Sequence, residues 1–389
     1  MQSGGTGGTS TGTSGASPGT GGASGASAGT GGTSGFVDQR PARPQPDLPF
    51  IEGDPGWRDS DDLVCVPPRG NAESFDIWAD ERGVFVVAST ACDMSTLDAQ
   101  PIPCGQQGVS VQHNAGSGWE TLYEIGPKKT EGTHNRELRV RGVPNGLLVL
   151  AGVLDELHHG VSFLDDGVLT PQPEAATESA RVFVAGERIY SLAVGPEMDV
   201  IERTTRILMY DAGDWSELVE LSEPVRDLWA NETLVSVVGA NQAFLIGDPE
   251  TGEFEQLPGV PAGDYNAVWG FGADDLWAGN TAGQLVHYDG ENWRVVQTGA
   301  SADYGIQRLW GVSGRLYFTT ANELGRFDGE KVELLVTPDE APELDLTFTG
   351  LWGLSENEVF LSLLAGDYDD YRCSSYFAAW FDGEELHLF

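Results

Sequence analysis

A tryptophan that returns at a fixed interval constrains this chain more than any other feature. Trp229 in DLWAN, Trp269 in VWGFG, Trp310 in RLWGV and Trp352 in GLWGL follow one another at steps of about 40 residues. A second landmark keeps the same phase: Tyr288-Asp289-Gly290, Phe327-Asp328-Gly329 and Phe381-Asp382-Gly383, with a looser copy at Tyr210-Asp211-Ala212-Gly213. The stretch from Asn266 to Thr298 shows what one interval contains. Ala267-Val268-Trp269 is stopped by Gly270 and Gly272, and Asp274-Asp275 turns the chain into Leu276-Trp277-Ala278. Asn280 and Gly283 turn it again into Gln284 to Tyr288, and Asp289-Gly290 is a hairpin turn before Trp293-Arg294-Val295-Val296. A four-stranded antiparallel meander repeated at this spacing is one blade of a β-propeller.

The register extends toward the N-terminus with looser copies. Arg181 to Val184 and Arg188 to Leu192 open one, Leu138 to Arg141 with Gly146 to Leu150 another, and Phe75-Asp76-Ile77-Trp78 with Val84 to Val87 the first. Starts near Trp78, Arg141, Phe183, Trp229, Trp269, Trp310 and Trp352 predict an all-β, seven-bladed β-propeller, with six or eight blades as the alternatives. Composition agrees: Gly 52 and Pro 21 punctuate short apolar runs, and a chain that is 40% hydrophobic can bury a core spread over many layers between blades. Residues 62–389 are assigned to the propeller, and no second globular domain is needed. The repeated tryptophans Trp78, Trp229, Trp269, Trp310 and Trp352 are read as repeat-core packing rather than as a ring that stacks on a ligand, because a binding site usually breaks symmetry.

Residues 1–35 are almost entirely Gly, Ser, Thr and Ala, which leaves nothing to bury against the entropy of ordering. They are expected to be a disordered, flexible tether with a reach on the order of 30 Å. Pro41, Pro44, Pro46 and Pro49 make 36–61 an extended lead. The sequence contains no apolar run of membrane-spanning length and no hydrophobic signal region after Met1.

The four cysteines, Cys65, Cys92, Cys104 and Cys373, show no zinc spacing, so disulfides in an oxidising compartment are expected. Three pairings are open. Cys92 with Cys104 would pin an insertion in the first blade. A propeller commonly completes its last blade with a strand from the other end of the chain, so Cys65 with Cys373 would lock that seam. In chain-entropy models a loop that long is worth roughly 4–5 kcal/mol.

With Lys+Arg 21 against Asp+Glu 60, the net charge of −39 repels phosphate backbones and anionic headgroups, which excludes nucleic acid and direct membrane adsorption as partners. No cofactor is expected. Calcium is the one ion that the acidic turns would suit, chiefly Asp367, Asp369 and Asp370 or Asp274-Asp275, but no D-x-D-x-D-G run occurs and such residues usually cap turns. His158-His159 is read as a solvated hairpin tip, since adjacent strand residues point to opposite faces.

The pattern WGFGADDLWAGNTAGQLVHYDGENW resembles the repeats of bacterial secreted or lipid-anchored propellers of BNR-like type, and less closely those of tectonin-type propellers. The tail likewise resembles the mature start of a bacterial surface lipoprotein, whose stalk follows a lipidated Cys. The resemblance implies a cell-surface or extracellular protein, either an outer-membrane lipoprotein whose leader has been removed or a secreted one. It transfers no catalytic residue: a sialidase Asp-box asks for S/T-x-D-x-G-x-x-W, whereas Asp289 and Gly290 are adjacent and Trp293 follows. Gly247 to Gly252 is similar to the D-x-x-T-G turn of quinoprotein propellers, in a single copy.

Two functions follow. The first is a non-catalytic binding or scaffold propeller that presents inserted loops to a protein or glycan partner, or to copies of itself. Those loops are Asp93 to Gly108, Pro196 to Thr205 and Asp367 to Tyr376. The alternative is a glycan-active extracellular hydrolase or lyase with its site on a propeller face, where paired carboxylates would have to meet in space; acids such as Asp155, Glu156, Asp165 and Asp166 are too unspecific in so acidic a chain to be assigned the role.

Overall fold

A computed structural model describes residues 71–91, 106–129, 138–155, 158–175, 180–194, 204–222, 224–338, 346–365 and 375–389. They form seven four-stranded antiparallel sheets, each built from consecutive strands in sequence order. The blades cover 71–129, 139–171, 180–221, 225–256, 265–297, 308–336 and 346–388 and are numbered here from one to seven. A short 3-10 helix, Pro173–Ala175, lies between the second and third. The first strand of each blade is innermost and touches the first strands of its neighbours, so the seven sheets close into a ring around a central axis.

Side chains along a strand alternate between the two faces of the sheet, and here both faces are buried against neighbouring blades. Leu228 therefore packs into the layer shared with blade three, while Trp229 packs into the layer shared with blade five. The core accordingly divides into seven apolar layers, one per junction. Trp78, Phe85 and Val111 meet Val140 and Leu150 between blades one and two, and Trp277 and Leu285 meet Leu316 and Phe318 between five and six.

The Trp-Gly pairs of the repeat are two halves of one joint. A Cβ placed on Gly142 would collide with the ring of Trp78, one on Gly270 with Trp229, and one on Gly353 with Trp310; on Gly311 it would meet Trp269 and Phe271. Each ring thus enters a seat that the following blade leaves open. Trp78, Trp229 and Trp310 are buried in this way at 7%, 6% and 4% exposure. The seat residue is not always glycine: it is Val184 in blade three, where blade two offers Arg141 instead of a tryptophan, and Ala230 and Ala79 in blades four and one.

The junction of blades seven and one departs from the expected seam. The four strands of blade seven, Leu346–Ser355, Glu358–Ala365, Ser375–Phe381 and Leu386–Leu388, all come from the C-terminal part of the chain, and among the described residues no strand from the other end joins them. The first blade likewise holds four strands of its own. With both sheets complete, the ring closes here through side chains. Ile77, Ala79, Val84, Val86 and Ala88 pack on Phe360, Ala378 and Trp380. Phe389 donates its N–H to the Ala378 carbonyl at 2.9 Å and sets its ring against Trp380, Phe360 and Trp119.

Candidate functional site at the insertion-bearing end of the ring

Every blade runs the same way, so connections of one kind emerge at one end. The links between first and second strands, and between third and fourth, are short turns at one end, such as Asp166-Gly167, Ala212-Gly213 and Ser313-Gly314. The links between second and third strands, and those between blades, emerge at the other. All three insertions picked out in the sequence join a second strand to a third. The first leaves Gly83–Ala91 and returns at Gln106–Asn114, the second joins Arg188–Val194 to Thr205–Asp211, and the third joins Glu358–Ala365 to Ser375–Phe381. Their anchors therefore share one end of the ring, in blades one, three and seven. The insertion bounds shrink slightly, because Gln106 to Gly108, Thr205, Ser375 and Tyr376 already belong to strands. The insertions themselves lie outside the described residues.

At the same end the inner strands carry a polar tier that the sequence reading missed. Two residues before the phased tryptophan, Asp76 of blade one accepts the Val140 N–H of blade two at 3.1 Å and pairs with Arg141 at 2.7 Å. In the same register, Asp227 of blade four accepts the Val268 N–H of blade five at 3.0 Å and pairs with Arg181 of blade three at 3.3 Å. Arg226 bonds Asn266 and Asp264 of the next blade, at 2.8 and 3.2 Å, and Arg308 donates to the Thr349 carbonyl of blade seven at 3.2 Å. First strands of neighbouring blades share no ladder, and these carboxylates and guanidiniums supply cross-links in its place. Asp76 is 1% exposed, so its charge depends on the two donors that face it. The signal was present in the repeated Asp-Ile-Trp and Asp-Leu-Trp of blades one and four.

Below that tier the axis is lined by aromatic rings. Trp269 approaches Phe183, Trp310 and Trp352 at centroid distances of 6.2, 6.3 and 6.2 Å, reaching blades three and seven, neither of which adjoins its own. Trp352 in turn meets Trp78 at 6.5 Å and carries the Arg141 guanidinium over its face at 5.1 Å. Trp269 and Trp352 are half-buried. The tryptophans thus both fill the junctions and narrow the centre.

The acidic turns are mostly occupied by their own backbone. Asp289 Oδ1 accepts the Glu291 and Asn292 N–H groups, Asp328 those of Glu330 and Lys331, and Asp382 those of Glu384 and Glu385, at 2.7–3.0 Å. These bonds lower all three carboxyls, and with a further bond to His387 the Asp382 carboxyl is pushed down to about 2. Asp248 caps the Gly247 to Gly252 turn likewise. Asp275 accepts from the Trp277 indole and meets His287 Nε2, both at 2.8 Å. His158 and His159 open a strand, His158–Asp165, opposite Asp155 and Val153, at the end of the strand pair next to residues 156 and 157 where the hairpin tip was expected.

Two of the acids named for the alternative function, Asp155 and Asp165, stand far apart. Asp155 ends the strand Leu148–Asp155, whereas Asp165 ends the neighbouring antiparallel strand at the opposite end of the blade. A strand of that length separates them by roughly 20 Å, against the roughly 5–10 Å that paired glycosidase carboxylates need. Glu156, Asp367, Asp369, Asp370 and all four cysteines, Cys65, Cys92, Cys104 and Cys373, lie outside the described residues. No helix among the described residues is long and apolar enough to cross a membrane.

No protein-family model and no curated protein matches the chain. Solved structures do resemble it. The extracellular domain of a putative hybrid two-component system from B. thetaiotaomicron aligns with TM-score 0.50 and 12% identity, over 80% of this chain and 38% of that one. YCF48 bound to D1 peptide aligns at 0.49 and 15% identity, over 76% and 91%, and Saccharomyces cerevisiae Sqt1 at 0.48 and 9%, over 82% and 98%. At such identities the likeness is one of fold. The likeness at TM-score 0.50 supports the propeller named on sequence grounds.

Proposed function

We propose that this chain is a non-catalytic binding module whose insertion-bearing end engages a protein or glycan partner. The observation that carries the reading is the common origin of the three insertions: each interrupts the same connection of its blade, so all are anchored at one end of the ring. The opposite end consists of short capped turns, which offer little to a specific partner. The polar tier cross-links each insertion-bearing blade to a neighbour, blade one to two, three to four and seven to six, as a scaffold for recognition loops requires.

In the same reading, residues 1–35 are a tether and 36–61 a stiff lead that hold the ring away from a bacterial cell surface, reached by secretion or through a lipid anchor. Cys92 with Cys104 and Cys65 with Cys373 are the proposed disulfides, and both would form in that oxidising compartment. Self-association through the same end is the other form that binding would take.

The test replaces each insertion with an Asn-Gly turn, singly and together. Wild-type and variant chains are then compared against a glycan array and by quantitative cross-linking on cells. A ligand held by wild type and lost from the triple variant is the expected result. A ligand held equally by the triple variant would overturn the assignment to this end of the ring.

A further inference from the structure

The position that repeats along the chain is aromatic in six blades and Arg141 in the second. Two residues earlier the register is uneven as well, with Arg139, Arg181 and Arg308 in blades two, three and six, Asp76 and Asp227 in blades one and four, and Ala or Gly in blades five and seven. Packing between like blades favours one residue type at a repeated position, and a binding site breaks that symmetry. With Arg226 beside Asp227, the side chains described in the insertion-side halves of the inner strands include five guanidiniums. The carboxylates that stand with them are Asp76, Asp227 and the Asp264 that pairs with Arg226. A positive excess therefore surrounds the axis in a chain whose net charge is −39. Arg141 and Arg181 keep 13% and 17% of their side chains exposed, so solvent reaches this tier.

Arg141 carries an unused fork. Both of its hydrogen bonds leave from Nη1, to Asp76 Oδ2 at 2.7 Å and to the Val140 carbonyl at 2.6 Å. Its Nε is enclosed and has no partner, and its Nη2 makes no bond to a described residue. The Nε–Nη2 edge presents two parallel donors that match the two oxygens of a carboxylate, and leaving an enclosed donor unbonded is costly. The same guanidinium lies over the face of Trp352 at 5.1 Å, and Trp352 meets Trp269 at 6.2 Å, both indoles half-buried. Indole faces beside a fixed cation take a ring or other apolar body next to its charge.

We propose that the axial end of the ring binds a carboxylate. Its oxygens take the Nε–Nη2 edge of Arg141, the surrounding guanidiniums offset its charge, and the ring or apolar body that carries it rests on Trp352 and Trp269. The rings of Phe183, Trp269 and Trp352 meet across the axis and form the floor. A singly charged planar anion suits the tier better than a phosphate, because Asp76 and Asp227 already stand in it. The site consists of inner-strand residues alone, so it goes beyond the binding assigned to the insertions and does not depend on them.

The experiment is calorimetric titration of the full chain with two pairs of nearly isosteric probes: benzoate with benzamide, and a tetrapeptide ending in phenylalanine with its C-terminal amide. At least one carboxylate is expected to bind at least about tenfold tighter than its amide, benzoate marking a free acid as the ligand and the peptide a chain end. Arg141→Lys keeps a cation for Asp76 but loses the fork, and should weaken that binding at least about tenfold. Trp352→Phe, which narrows the floor and should also weaken it, serves if that variant does not fold. Arg315→Gln, at the short-turn end of the ring, is expected to change nothing. Carboxylate and amide bound alike, no saturation by any probe below about 10 mM, or unchanged binding in Arg141→Lys would overturn the site. So would loss of binding in the chain whose insertions are replaced by Asn-Gly turns, an outcome that separates this site from the surface assigned to the insertions.

Discussion

A single missing Cβ decides how two blades meet. Gly270 leaves open the volume that Trp229 fills, so Gly270→Ala forces the indole or the strand to move. The expected cost is about 1–3 kcal/mol, seen as a lower denaturation midpoint at unchanged slope. The tryptophan half of this joint was legible in the sequence, because a bulky residue at a fixed phase stands out. The glycine half read only as punctuation: in a chain with 52 glycines, nothing local distinguishes a strand stop from a seat for the preceding blade. Asp76 and Asp227 were hidden for a similar reason. In a chain with Asp+Glu 60, one more acid resembles surface, and only three-dimensional closure shows that these two face the next blade's backbone N–H.

At the level of the element, the third-to-fourth strand hairpins of blades five, six and seven share one cap. The Asp382 carboxyl lies near 2 when folded, held down by the Glu385 and Glu384 N–H groups and by His387. A carboxyl lowered by folding contributes stability that is complete above its unfolded value of about 3.9 and is lost as pH falls through the folded value. Asp382→Ala should therefore lower the melting temperature at neutral pH. Thermal melts of variant and wild type should converge as pH drops from about 4 toward about 2; a gap that persists below that range would assign the effect to something other than the ionised cap. Blade boundaries were readable even in the looser N-terminal copies, since strand and turn signals recur there without tryptophan. The exact insertion limits were not, because Gln106, Thr205 and Ser375 extend their strands past the polar residues that mark a loop in sequence.

For the whole molecule, a net charge of −39 on a ring works against compactness by self-repulsion. Raising salt from about 10 mM to about 150 mM shortens the screening length from roughly 30 Å to roughly 8 Å, below the dimensions of such a ring. The melting temperature should rise by several degrees over that interval. A flat response would mean that the acids are already balanced locally, as Asp76 and Asp227 are. Fold class and blade number could be read from periodicity because a propeller writes its symmetry into the chain. Closure could not, since the facing residues of blades one and seven lie farthest apart in sequence. That closure has a consequence for how such a ring can change over generations. Among the described residues no sheet borrows a strand, so a duplicated or deleted gene segment of one blade carries an intact hydrogen-bonded unit. Where that unit bears both a tryptophan and its glycine, it also carries the key and the lock for either neighbour. Ring size is then set by how many wedges fit around the axis, while the chain ends are free to meet at whichever joint is left.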